Sequence, residues 1–321
     1  MRFATLISIC GRSSLALLAG GVIALAVLAL QGGAASHSPN GDFAVSVAKR
    51  AAGSSSSVAS AAIIDEEEIK SAQALNAAFD RIGFDLGLVA VGDRAVPRII
   101  LDALPKDIHE VQTSNERKAL FLRALLPIVL DVNDRILEER TKLGVLRTKV
   151  IEGASLTGDD VLWLLQLSEA YDQPDADLDA LVKKVDIVPN SLALAQAIEE
   201  SGWGTSRIAR EMNALYGQVS DGWGYRSFSD LFGAVEAYAR NLNTHRAYRE
   251  FRSNRAAMRA TEDGMDASEL AGTLHRYSER GQAYVRAIRR IMRDNQLSNY
   301  DEARLNEPYS ETSPSFFSLI R

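Results

Sequence analysis

Cysteine is almost absent from this chain. The single residue, Cys10, stands ahead of an N-terminal apolar run and would leave with that segment on cleavage. A disulfide framework and a cysteine-ligated metal centre are therefore excluded. Histidine is scarce too. His37, His109, His245 and His275 show no i,i+4 pairing, so no metal site and no cofactor are expected. An excess of positive charge is also lacking: the formal net charge is -6, against the basic footprint of a dedicated nucleic-acid binder. With 46% hydrophobic and 24% charged residues the chain is nevertheless of ordinary globular composition, and its 321 residues suffice for two domains.

One long apolar run is present. Arg2 and Arg12 precede Leu15 to Leu30, interrupted only by Gly20 and Gly21, and the small residues of Gly32–Ser36 follow. As a helix the run would reach roughly 24 Å, short of the ~30 Å hydrocarbon core. Residues 1–35 thus read as a signal peptide cleaved after Ala35, or alternatively as a retained membrane anchor. Either way the body is exported to the periplasm or cell envelope. Residues 36–64, with Ser54–Ser57, have the composition of a flexible linker. Order is expected from Asp65, where Asp65–Glu68 suits a helix N-terminus.

The helical pattern then persists. Leu122, Leu125, Leu126, Val129, Val132 and Ile136 make one apolar face, while Asp131, Asp134 and Glu138 read as solvated positions. Trp163 falls among Val161, Leu164, Leu165 and Leu167 as a core residue. A short helix is expected after Pro189, capped by Asn190 or Ser191 and stopped by Gly202 and Gly204. Its last turn carries Glu199 and Glu200, followed by Trp203. Carboxylates at the negative end of a helix dipole, partly buried against a tryptophan, have raised pKa values. A carboxylic acid still protonated near neutrality is what glycoside hydrolysis needs to protonate a leaving oxygen. Two solvated glutamates at an ordinary helix end fit the same pattern, and spacing does not choose between Glu199 and Glu200.

Ala195-Gln-Ala-Ile-Glu-Glu-Ser-Gly-Trp-Gly-Thr-Ser206 and Asn213-Ala-Leu-Tyr-Gly-Gln218 closely resemble the signature of bacterial glucosaminidases, the mannosyl-glycoprotein endo-beta-N-acetylglucosaminidase-like domains related to the flagellar rod peptidoglycan hydrolase domain. The pattern Val96-Pro-Arg98, Leu104-Pro-Lys-Asp107, Leu125-Leu-Pro127 and the segment Leu274–Val285 are similar to the Bax-type branch of that family. The resemblance covers roughly residues 96 to 297. It implies an all-α fold, a lysozyme-like helical catalytic lobe (181–297) preceded by a helical N-terminal region (65–180), with 298–321 left as a loose tail. It implies cleavage of peptidoglycan glycan strands at the β-1,4 bond after N-acetylglucosamine, with Glu200, directly before Ser-Gly-Trp-Gly, as the catalytic acid.

One departure stands out. After Gln218 the family usually inserts a hairpin lobe, often with a second glutamate, whereas here only Val219–Ser227 separate Gln218 from Phe228. Asp221 is the only acid in that loop and hence the candidate second catalytic group. Trp203, Trp223 and Tyr225 are candidate sugar-binding rings, and Tyr238 matches a cleft tyrosine of the family. Val235, Tyr238, Leu242 and His245 share one helical face, so His245 reads as a packed histidine. The arginines from Arg246 to Arg293 read as a solvated helix face. A lytic transglycosylase using one glutamate, or a non-catalytic envelope-binding module, are the competing readings. The expected partner is the peptidoglycan strand, with no nucleic acid and an N-terminal membrane tether as the further option.

Overall fold

A computed structural model describes residues 71–306, apart from Ala176, 220–223 and 262–263. The apolar run, the linker, the acidic run at 65–68 and the chain beyond Asn306 lie outside these residues. Among the described residues no helix is long and apolar enough to cross a membrane.

The fold is all-α. Ser71 caps α1 (Ala72–Arg81) by accepting from Ala74 N, and Asp85 caps the short α2 (Leu86–Ala90). An irregular stretch then leads through a 3-10 turn (Ile108–Glu110) to α3 (Ser114–Ile151). At 38 residues this helix is about 57 Å long. The expected apolar face is buried, but so is the full girth of α3 from Leu120 to Leu130. A helix apolar all round belongs inside a fold, with other helices wrapped about it. Asp131 is not simply solvated: Arg98 and Arg135 both pair with it.

α4 (Gly158–Ala170), opened by a Thr157–Asp160 capping box, and α5 (Leu178–Lys184) follow. Trp163 is half-buried against the core with Lys142 over its ring. Then come α6 (Asn190–Ser201), α7 (Arg207–Met212), α8 (Leu231–Thr244), α9 (Arg249–Arg259), α10 (Ala267–Gly272) and α11 (Gln282–Asp294). α6 is the inner helix of this half, packed between α3 and α11. The core residues of all these helices form one cluster.

The entry to α6 is held by polar groups from distant segments. Arg255 is fully buried and donates to the carbonyls of Lys183, Asp186 and Ile187, while Arg259 pairs with the Asp186 carboxylate. Asn133 accepts from Val188 N and donates to Val188 O and Asn190 Oδ1. The cap expected from Asn190 or Ser191 is not made. Pro189 occupies the cap position without a side-chain bond, and Asn190 instead donates to Tyr300 O. The missing acceptor comes from Asp301, which takes Ser191 N at 2.8 Å and the Ser191 hydroxyl at 2.7 Å.

Residues 298–306 are therefore packed, not loose. A 3-10 turn (Leu297–Tyr300) docks on α6, and Leu305 forms a parallel bridge with Val96. Asp301→Ala removes the only side-chain acceptor for the α6 N-terminal amides among the described residues, and a loss of about 1–2 kcal/mol is expected. Thermal melts of the variant and wild type check this.

Candidate active site

Helix α6 ends on Glu200 and Ser201, and the residues after it fix how that last turn is held. Ser201 donates to Ala197 O at 2.6 Å and accepts from Gly204 N at 2.9 Å, tying the helix end to the chain that leaves it. Gly202, Trp203 and Gly204 all have positive φ (60°, 60° and 74°), so the chain reverses in three residues. Only glycine fits at 204: a Cβ there would lie 2.6 Å from Leu104 Cδ1 and 3.1 Å from Phe121. Thr205 donates to Gly202 O, and Ser206 caps α7. The Ser-Gly-Trp-Gly-Thr-Ser run is thus a helix stop and reversal that leaves Glu200 fixed.

The two glutamates have different surroundings. Glu199 is ion-paired with Arg280, which precedes α11. Glu200 faces inward, within the electrostatic reach of the Tyr284 hydroxyl of α11. Gly217, with φ of 64°, passes so close that a Cβ on it would lie 2.8 Å from Glu200 Oε2. Burial raises the Glu200 pKa, and the neighbouring Glu199 charge adds to this; the Tyr284 hydroxyl and Arg280 oppose it.

Tyrosines build the floor. Tyr216 stacks on Tyr238 at 3.9 Å, and Tyr277 stacks on Tyr284 at 5.5 Å. Tyr277 donates to Tyr216 O. Beyond Gly217 and Tyr277 a cleft of about 920 Å³ opens along α8, walled by Gln218, Arg226, Glu236, Arg240 and His245. That volume suits a small-molecule or oligosaccharide site.

The residues singled out from sequence do not all meet here. Tyr238 is 1% exposed, with its hydroxyl on Gln196; it lies under the cleft and presents no ring face to a ligand. Trp203 is half-buried, edge-on to Phe121 and beneath Lys118, so its observed ring partners belong to α3 rather than to Glu200. Tyr225 is 48% exposed on the loop that Gln218 and Arg226 close through a backbone hydrogen bond. Asp221 and Trp223 lie outside the described residues. His245 is hydrogen-bonded but not buried: it is exposed, its Nδ1 accepts from Ala247 N, and its ring lies 5.7 Å from that of Tyr248. Glu236, Gln196, Gly217 and Tyr284 were given no role from sequence. Only Gln196 carried a usable signal, since i−4 from Glu200 places it on the same helix face. Among the described residues no group of three or more His, Cys, Asp or Glu is arranged as metal ligands would be.

An all-α fold with a half-buried acid closing an inner helix beside a cleft is of the lysozyme-like kind. Residues 176–297 match the family model described as mannosyl-glycoprotein endo-beta-N-acetylglucosaminidase. The chain is similar to Protein bax of Escherichia coli (strain K12), at 30% identity over 205 residues, covering 59% of this chain and 74% of that protein. It belongs to the glucosaminidase family, in the Bax-type branch. No solved structure matches it.

Proposed function

We propose that this protein is a peptidoglycan hydrolase of the cell envelope, cleaving the β-1,4 bond after N-acetylglucosamine with Glu200 as general acid. Family membership supports glycosidase chemistry on peptidoglycan. The observation that carries the assignment to Glu200 is its placement: a half-buried carboxyl whose pKa burial raises, pressed by Gly217, which itself lines the cleft. Glu199, paired with Arg280, serves as a fixed negative neighbour.

In the reaction Glu200 gives its proton to the glycosidic oxygen as the bond to the anomeric carbon breaks. The carboxylate left behind accepts the Tyr284 hydrogen bond, which is stronger to a charged acceptor. The electron-poor anomeric carbon is met by the substrate's own 2-acetamido oxygen, and water then opens that intermediate and returns a proton to Glu200. Asp221 is the alternative second group, as the only acid between Gln218 and Phe228. Tyr225 and Trp223 offer rings for sugar stacking, and Tyr238 supports the site from below. The N-terminal run serves export or tethering.

Muropeptide mass spectrometry after digestion of purified sacculi tests the reading. Reducing N-acetylglucosamine ends are expected. Anhydro-muramic ends would make the protein a lytic transglycosylase, and binding without any product would make it an envelope-binding module.

A further inference from the structure

The side chain of Gln196 is 0% exposed, yet both ends of its amide are used. Tyr238 Oη donates to Gln196 Oε1 at 2.8 Å, and Gln196 Nε2 donates to Tyr284 Oη at 2.9 Å. The Tyr284 hydroxyl in turn bears on the Glu200 carboxyl, favouring its ionised form against the effect of burial. A phenol has one proton to give and lone pairs to receive. With a Gln196 N–H filling an acceptor position on Tyr284, the Tyr284 proton is left for the Glu200 carboxyl. A carbonyl in the place of that N–H would draw the Tyr284 proton away. The amide orientation is set at its far end, where Tyr238, clamped face to face by Tyr216, offers its hydroxyl to the oxygen.

We infer that Gln196 is a positioning residue: the buried relay Tyr238–Gln196–Tyr284 aims one hydroxyl proton at Glu200 and so fixes the carboxyl that acts on the substrate. The relay links α8, α6 and α11 through side chains. This inference rests on Glu200 as the proton donor. Gln196 also satisfies the buried Tyr238 hydroxyl, so the test must separate a loss of stability from a loss of turnover.

The other groups that bear on Glu200 are Glu199 on its own helix, Arg280 before α11, and the hydroxyls of Tyr248 and Tyr277. None of them hydrogen-bonds Gln196 among the described residues. A pH signature can therefore be assigned to the relay. The Tyr284 hydroxyl favours the ionised form of Glu200, so losing it raises the pH at which the acid deprotonates. The basic limb of the activity profile should then move upward.

The test compares Gln196→Met, Tyr284→Phe and the double variant on purified sacculi. Each single change is expected to lower turnover about tenfold with little change in KM, and the double variant is expected to be no slower than Tyr284→Phe alone. All three should show the raised basic limb. Losses that multiply in the double variant, or an unmoved limb, overturn the relay. Should Gln196→Met fold poorly by thermal melt, Tyr238→Phe removes only the far hydroxyl. Its smaller loss must vanish in the Tyr284→Phe background, and persistence there overturns the relay equally. Glu200→Gln run alongside separates the two ideas. If that variant keeps full activity the proposed function falls and the relay with it; if it is inactive while the losses multiply, only the relay falls.

Discussion

Glu200→Gln is expected to lower turnover of sacculi by about 10³-fold, whereas Glu199→Gln keeps most of it. The amide preserves the shape of Glu200 and its acceptor for Tyr284 but has no proton of suitable acidity. Glu199 lies one residue away on the same helix turn, and its loss removes only a partly exposed pair with Arg280. Because the Glu199 charge helps to raise the Glu200 pKa, its removal should also move the basic limb of the profile slightly down. Equal losses in the two variants would sink the assignment. The melting temperature gives an independent check with a definite sign. The folded pKa of Glu200 is raised, so its contribution to stability is fully present below the ordinary glutamate range and is lost as pH rises through the folded pKa. Glu200→Gln escapes that loss. It should melt no lower than wild type at neutral pH, with the difference closing as the solution is acidified.

Much of α6 was legible because its signals are local. Gly202 after a run of alanines and leucines marks the helix end, and it is indeed the left-handed cap. The choice between Glu199 and Glu200 was not legible from spacing, because it is made by residues far off in the chain. Arg280 takes one glutamate, while Tyr284 and Gly217 take the other. The α6 cap failed for the same reason: its acceptor, Asp301, stands 110 residues beyond Ser191. His245 shows a different limit. Helical spacing put it on the buried face with Tyr238 and Leu242, but α8 ends at Thr244 and His245 is extended (φ -63°, ψ 137°), which turns its ring outward. Periodicity holds only as far as the helix does. Tyr238 lies on the buried face that helical spacing gives it, but periodicity says nothing of what its hydroxyl meets, and in place of the substrate contact the resemblance implied its hydroxyl donates to Gln196.

Gly217→Ala should abolish most activity although it alters no functional group. The methyl would stand 2.8 Å from Glu200 Oε2 and 3.4 Å from its Cδ, well inside contact distance. What yields is the free end of the glutamate, since moving a carboxyl by a torsion costs less than moving backbone packed on the Tyr216–Tyr238 stack. The displaced carboxyl then leaves the Tyr284 hydroxyl and the line to the glycosidic oxygen. Misplacement on the scale of an ångström is enough to cost about 10²-fold in rate. The fold loses less: Gly217 has φ of 64°, where a side chain costs roughly 1–2 kcal/mol. Turnover and melting temperature measured on the same preparation therefore separate the two effects. A near-inactive variant that melts only a few degrees low is the expected result. Full activity in a folded Gly217→Ala protein would show that Glu200 does not act from the position it holds beside Gly217.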